Sequence, residues 1–299
     1  MKVLVCGHRG FIGAHIARAL RQAGHEVAGT TSTQPGSGEH LVDFSRDTTP
    51  GAWLPRLDGV DAVVNAVGVL RDSARRPMSA VHLLTPMALF TACAQAGVRR
   101  VIQISALGID HGTTPYARTK CAADRHLIER TQAGQLDGLV LRPSVVYGPG
   151  GASATLFDRL SLLPWLPLPK AALTSRIQPV HVEDLAAAVV AALSSSAVPK
   201  GVLPVVGPQV SSLSAFIQRL RAARGHAPAR VMALPERLTI ASAAWGDRFP
   251  ITPWGQQTLA LLGTDNTADA TPLRDLLGRE PRDPASEPAP LATLRTRTA

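Results

Sequence analysis

The chain has 299 residues, 45% of them hydrophobic, enough to bury one sizeable core with a small second lobe. Its formal charge of +9 is carried mainly by scattered, isolated arginines, without the lysine tract or interleaved aromatics of a nucleic-acid surface; an anionic cofactor or a membrane surface would gain only mildly from it. Three dispersed cysteines (Cys6, Cys93, Cys121) have no metal-like spacing and suit a reducing compartment, and no run of about 18 apolar residues could span a membrane.

Lys2 leads straight into an apolar run, so no leader peptide is expected before it. That run ends at Cys6 and breaks into glycines at Gly7, Gly10 and Gly13, from which a helical pattern continues over Phe11–Ala23. Strand, glycine turn and helix in this order predict a dinucleotide site. Gly7 permits the tight turn, Gly10 lets a pyrophosphate approach the backbone, and Gly13 lets helix and strand pack closely. Further strands are predicted at Glu26–Gly29, Ala62–Ala66, Arg100–Ile104, Gly138–Leu141 and Val202–Val206. Further helices are predicted at Met78–Ala96, Tyr116–Thr131, Val182–Leu193 and Leu213–Ala223. The alternation predicts an α/β fold, a doubly wound parallel sheet of Rossmann type. Between the second strand and Leu41 stands only TTSTQPGSGEH, so that crossover is read as a loop without a helix. From residue 279 onward, with its proline-rich stretch from Pro281, the chain is read as a disordered tail.

Tyr116-Ala-Arg-Thr-Lys120 is the second chemical signal. Residues four apart share a helix face, so the phenol and the ammonium point into one cleft. A nearby cation lowers a phenol's pKa, which suits proton transfer at a carbonyl or alcohol oxygen. No cluster supports a metal. His8 and His181 read as hydrogen-bonding spacers, Cys121 as a packing residue and Tyr147 as the anchor of its turn.

The order GHRGFIG, NAVG (65–68), ISALG (104–108), YARTK, LRPSVVYGPG (141–150) and QPVHVEDLA (178–186) resembles the short-chain dehydrogenase/reductase superfamily, in its extended and atypical, epimerase/dehydratase-like branches. SALG, VYGPG, PVHVEDLA and ITPWGQQTLALLGTDN (251–266) are most similar to the group that includes the 39 kDa accessory subunit of respiratory complex I. The resemblance covers residues 1–278. It implies a cofactor part over 1–148 and 178–207, and a substrate lobe over 149–177 and 208–278.

The resemblance also implies roles. Gly7, Gly10 and Gly13 would hold the pyrophosphate, Arg9, Phe11 and Ile12 of the same loop would also bind the cofactor, and Asp43 would meet the adenine amino group. Asn65, Ala66 and Gly68 would floor the adenosine ribose, and Pro143, Ser144 and Val145 would touch the nicotinamide. Tyr116 would be the acid/base, and Lys120 would bind the nicotinamide ribose and tune the phenol. His181 and Asp184 would shape a loop behind the substrate pocket. The serine that orients the substrate oxygen is displaced: Ser105 precedes the usual position, leaving Ser105, Thr113, Thr114 or no residue in that role. The second strand ends Gly29-Thr30-Thr31-Ser32 without the acid that marks NAD use, while Arg9 and the hydroxyls from Thr30 suit a 2′-phosphate. NADP is therefore expected ahead of NAD.

The implied function is an NAD(P)-dependent oxidoreductase passing hydride to or from a carbonyl or alcohol of an apolar small molecule. The greasy stretch SLLPWLPLPK (161–170) is read as the wall of the substrate cleft or as packing against the C-terminal lobe. The alternatives are a non-catalytic accessory or assembly protein of a respiratory or quinone-related complex and, more remotely, a nucleotide-sugar epimerase or dehydratase. The expected location is cytoplasmic, with the inner face of a membrane as the place of any peripheral association.

Overall fold

The computed structural model describes residues 1–110, 112–194, 200–249 and 253–287. Its first half runs β1 (Lys2–Cys6), α1 (Phe11–Gln22), β2 (Glu26–Thr31), β3 (Glu39–Leu41), α2 (Pro50–Trp53), β4 (Ala62–Asn65), α3 (Thr85–Ala96), β5 (Arg100–Ile104), α4 (Pro115–Gln132) and β6 (Asp137–Pro143). Then follow β7 (Val146–Tyr147), α5 (Ala152–Ser161), β8 (Trp165–Pro169), α6 (Lys170–Thr174), β9 (Arg176–Ile177), β10 (Val180–His181), α7 (Val182–Ser194) and β11 (Gly201–Val205). The chain continues through β12 (Ser211–Ser212), α8 (Leu213–Ala223), β13 (Arg230–Leu234), α9 (Glu236–Asp247), α10 (Gln256–Leu262) and α11 (Thr271–Leu277).

Seven strands form one sheet in the order β11-β6-β5-β4-β1-β2-β3, with every neighbouring pair parallel. The strands are almost wholly apolar because both faces are covered. On one face Val3, Val5, Ile102, Leu139 and Leu141 pack with α1 and α7 residues; on the other Leu4, Val63, Val101 and Val140 pack with Trp53, Phe90 and Leu127. The order reverses between β1 and β4, which opens a crevice beyond their carboxyl ends, where α/β folds bind ligands.

All six predicted sheet strands are present. The seventh, β3, lies inside the stretch read as pure loop; the missing helix is confirmed, but the chain returns to pair Gly29 with Glu39 through Thr31 with Leu41. The helix predicted from Met78 to Ala96 is interrupted. At 80–84 it widens to a π turn, in which the Thr85 N–H reaches back five residues to the Ala80 carbonyl. Pro86 explains this, since it has no N–H to give the His82 carbonyl four residues back.

A smaller lobe packs α5, β8, α6 and α8 around Phe157, Leu166, Phe216 and Leu220. Tyr147, fully buried, anchors it through its hydroxyl, which donates to Asp158 Oδ1 at 2.6 Å. Cys121 packs beside the Tyr116 cluster. Among the described residues, no helix is long and apolar enough to cross a membrane.

Two expectations are corrected at the C-terminus. Leu273 of α11 packs into the sheet core against α7 and β11, so this helix belongs with the cofactor part and not with the lobe. Residues 279–287, read as the start of a disordered tail, are held by Asp184, which is fully buried at the start of α7. Its carboxylate accepts from Arg279 Nη2 and from the Arg282 backbone N–H, each at 2.6 Å. Asp283 pairs with Arg219, and Ala285 is buried in the lobe core. Asp184 therefore anchors the chain end rather than shaping a pocket loop; residues 288–299 of the expected tail, and Ile251 and Thr252 of the family-like run, lie outside the described residues. Asp184→Ala is expected to destabilise the protein by about 2–3 kcal/mol in urea unfolding. It should also open Arg279 and Arg282 to trypsin, as read by mass spectrometry.

Candidate active site

Gly7 follows β1 at φ +79°, a conformation that favours glycine. A Cβ on Gly13 would stand 2.1 Å from the Gly7 carbonyl oxygen, so any side chain there would force strand and helix apart. The turn closes with Gly10 N–H donating to Gly7 O at 2.8 Å, leaving the N-terminus of α1 facing the crevice. Thr30 Oγ1 accepts from the Gly7 N–H at 3.3 Å and fixes the loop to the end of β2.

The crevice is a cleft of about 890 Å³. Of the expected cofactor residues, Gly7, Arg9, Gly10, Thr30, Asp43, Ala66 and Gly68 line it. Asp43 takes hydrogen bonds from the Ser45 N–H and hydroxyl, which hold its carboxyl below the usual carboxylate range. Asn65 is corrected: it is fully buried behind the cleft, donates to Gln103 Oε1 at 2.8 Å and accepts from the Val67 N–H at 3.2 Å. It shapes the turn that Ala66 to Val69 present to the cleft. Phe11 packs edge-on to His15 and against Gly151, and Ile12 packs into the sheet core.

The absence of an acid at the end of β2 is also corrected in part, because β3 supplies one. Glu39 Oε1 accepts from Arg9 Nε at 2.9 Å, its second oxygen meets Arg9 Nη2, and Arg9 Nη1 donates to Thr33 Oγ1 at 3.1 Å. His8 Nε2 lies 2.6 Å from the same carboxylate and Nδ1 3.1 Å from the Thr30 carbonyl oxygen. Arg9 and the Gly36 N–H hold the Glu39 carboxyl down near about 2. Arg9 is thus a fixed, oriented cation. Arg75 and Arg76, which the sequence reading missed, line the same cleft.

At the far end, a Cβ on Gly68 would lie 3.6 Å from both Lys120 Nζ and His82 Nε2, so the cleft floor adjoins the tyrosine–lysine pair. Thr114 caps α4 by accepting from the Ala117 N–H at 3.2 Å, with Pro115 opening the helix. Tyr116 and Lys120 share the inner face, the ammonium 5.8 Å from the ring centroid, and Lys120 Nζ donates to the Ile104 carbonyl at 3.2 Å.

Burial pulls the Lys120 ammonium down to about 8, with Asp124 opposing. The Tyr116 phenol goes the other way from the sequence expectation: burial, followed by the Asp124 charge, raises it. Desolvation by Met78, Ile109 and Ala117 outweighs the neighbouring cation, so the free protein holds a protonated phenol.

Ser105 does not stand free to orient a substrate. Its hydroxyl donates to Asp124 Oδ2 at 2.7 Å, and the same oxygen accepts from Arg142 Nε at 3.0 Å. Thr114 is engaged as the helix cap, and Thr113 is exposed. Pro143 closes β6 by accepting from the Leu107 N–H. Ser144 donates to the Asn266 carbonyl at 2.9 Å, and Val145 packs against the lobe. Asp124 was legible as the third member of an i, i+4, i+8 stripe with Tyr116 and Lys120 but was missed.

His82 was missed too. It sits on the π turn, edge-on to the Tyr116 ring at 5.3 Å. Its Nε2 accepts from the Val69 N–H at 2.9 Å, so the ring proton is on Nδ1 and faces Thr119 Oγ1 at 3.2 Å. Burial, then the Lys120 charge, pulls its pKa down to about 3. His82 is thus a neutral brace between the cleft floor and Tyr116. No group of three His, Cys, Asp or Glu among the described residues could hold a metal.

A parallel sheet with this glycine turn, a cleft at the switch point and glycines that leave no room for side chains define a dinucleotide-binding protein of Rossmann type. Residues 3–207 match the NAD dependent epimerase/dehydratase family, and the chain belongs to it. It is 28% identical over 200 residues to a ceramide reductase of Caulobacter vibrioides, covering 63% of this chain and 60% of that protein. It is 27% identical over 212 residues to the Arabidopsis thaliana mitochondrial NADH dehydrogenase [ubiquinone] 1 alpha subcomplex subunit 9, covering 63% and 49%. The match thus spans about half to three-fifths of the length of these curated relatives. A human epimerase family protein crystallised with NADPH has the same fold, with TM-score 0.71 and 21% identity over 96% of this chain and 97% of that one. The UDP-glucose 4-epimerase of Thermus thermophilus, in complex with NAD, has TM-score 0.63 and 25% identity over 79% and 87%.

Lys120 generates a prediction. Its folded pKa of about 8 lies below the unfolded value of 10.5, so the unfolded state binds more protons between those pH values. Stability from this group therefore rises with pH across pH 8 to 10.5. Lys120→Met should remove that rise and stabilise the protein at pH 7 by up to about 3 kcal/mol, read by urea unfolding across pH.

Proposed function

We propose that the protein is an NAD(P)-dependent oxidoreductase acting on a carbonyl or alcohol of an apolar small molecule. The observation that carries this reading is the adjacency of Tyr116, Lys120 and the Gly68 floor at one end of a cleft built for a dinucleotide. The bound nicotinamide would supply or accept the hydride. Gly7 and Gly10 let the pyrophosphate approach the turn, the unpaired N–H groups that open α1 from Phe11 onward would meet it, and Ala66 to Gly68 floor the adenosine. Tyr116, protonated in the free protein, gives its proton to the carbonyl oxygen as the carbon becomes an alcohol carbon; in the reverse direction it takes the proton back. Lys120 holds positive charge beside it and binds the nicotinamide ribose. Pro143, Ser144 and Val145 back the nicotinamide. Ser105 acts as a positioning residue through Asp124.

NADP(H) is the preferred form on this reading. Arg9 is oriented at the cleft, hydroxyls from Thr30 to Thr33 line it, and Arg75 and Arg76 add positive charge there. Peripheral attachment to a membrane belongs to the same reading and is supported by Leu238, Ile240, Trp245 and Phe249, exposed on and just after α9. The desolvated Tyr116–Lys120 pair favours this reading over a purely structural cofactor.

The test is titration with NADPH and NADH followed by turnover on ketones, aldehydes and UDP-glucose. Wild type should oxidise NADPH with an apolar carbonyl. Tyr116→Phe should lower kcat by about 10²–10⁴ while leaving the NADPH Kd within about threefold. Arg9→Ala should raise the NADPH Kd about tenfold and the NADH Kd far less. Tight cofactor binding without turnover on any carbonyl would overturn the reading in favour of an accessory role, and turnover of UDP-glucose would favour an epimerase.

A further inference from the structure

A second cavity, of about 200 Å³, lies in the smaller lobe. Leu156, Phe157 and Leu160 of α5, Leu168 of β8, Leu213 of α8 and Leu262 of α10 supply its apolar wall. Four polar side chains also line it, and three of them commit their donors within the fold. Trp254 Nε1 donates to Ser242 Oγ at 3.2 Å, Ser242 Oγ donates to the Thr239 carbonyl at 2.8 Å, and Thr258 Oγ1 donates to the Pro253 carbonyl at 2.6 Å. Ser153 is the fourth. A sugar entering this space would lose its water hydrogen bonds and find almost none in return, whereas hydrocarbon loses nothing. The volume is below the roughly 300–1,000 Å³ of whole small-molecule sites, so it suits one part of a ligand, a single chain rather than fused rings.

α10 stands between the cavity and the cluster around Tyr116. Leu261 packs with Tyr116, Met78 and Ile109, while the next residue, Leu262, lines the cavity. Both ends of α10 are fixed to the cofactor side. Before it, Arg71 Nη2 donates to the Trp254 carbonyl at 2.6 Å and to the Gly246 carbonyl at 3.0 Å. After it, Asn266 Nδ2 donates to the Leu107 carbonyl at 3.1 Å, and its own carbonyl accepts from Ser144. A molecule whose oxygen sits at Tyr116 thus has a hydrocarbon-lined space one helix thickness away.

We propose that this cavity is the tail pocket of the substrate and that the substrate carries an unbranched alkyl or acyl chain next to its carbonyl or alcohol. The proposal rests on the oxidoreductase reading and names its substrate class. The polar head meets Tyr116; the chain passes α10 and ends among α5, β8 and α8.

The test is calorimetric titration of the full chain with 1-butanol, 1-hexanol, 1-octanol and 1-decanol, each with and without NADPH. Affinity should rise about fourfold per added methylene until the chain fills the cavity, then level off. Ala172→Leu and Leu262→Phe, which place extra carbon in the cavity, should weaken 1-decanol at least tenfold while NADPH binding persists as the check on folding. A wild type that binds NADPH but shows no chain-length dependence overturns the proposal. So do filled variants that bind 1-decanol as wild type does, or UDP-glucose that competes with it. Loss of NADPH binding in the wild type would instead count against the oxidoreductase reading, leaving chain binding as a separate result.

Discussion

The carboxylate of Asp124 gathers the ends of three elements. It accepts the Ser105 hydroxyl from the end of β5 and the Arg142 guanidinium from β6, while standing on α4 eight residues beyond Tyr116. Arg142 in turn reaches Asp110 in the loop that leads to α4, at 2.6 Å. Buried ion pairs add little net stability, but removing one partner leaves an uncompensated charge and costs about 3–5 kcal/mol. The α4 face carrying Tyr116 and Lys120 is therefore set against the strand ends by a bond that tolerates little displacement. The same carboxylate supports the Lys120 charge against desolvation and raises the Tyr116 phenol.

The cofactor end follows a different logic. Close backbone approach, not charge, builds the glycine turn after β1, as the missing room at Gly13 demonstrates. Charge enters at the rim, where Glu39 from β3 fixes Arg9 and His8. This carboxylate is itself tied up with the Arg9 guanidinium and the His8 ring, which distinguishes it from an acid left open to ribose hydroxyls. His82 and Arg71 connect this rim to the rest: one braces the Val69 backbone against Tyr116, the other fastens the loop after β4 to the C-terminal end of α9.

The features legible in the sequence were those with local causes. Periodicity and glycine spacing located six sheet strands, the phosphate turn, and the helix bearing Tyr116 and Lys120. What stayed hidden depended on partners distant in the chain. β3 is three residues of mixed polarity whose strand character comes only from pairing with β2. The role of Ser105 depends on Asp124, 19 residues on, and that of Asp184 on residues nearly a hundred later. The tail from 279 has the composition of a disordered segment, yet the buried Asp184 carboxylate, the Asp283–Arg219 pair and the burial of Ala285 hold its first part. The rise in the Tyr116 pKa was invisible because it reflects desolvation by residues from three separate segments, whereas the sequence displayed only the neighbouring lysine.

Ser105 and Asp124 form one bonded unit that positions the helix carrying Tyr116 and Lys120. A double-mutant cycle on Ser105→Ala and Asp124→Asn, followed by urea unfolding at pH 7, measures it directly. The expected coupling energy between the two positions is about 1–3 kcal/mol, with the double variant little worse than Asp124→Asn alone. Additive losses, with coupling near zero, would contradict it and return the Ser105 hydroxyl to the substrate.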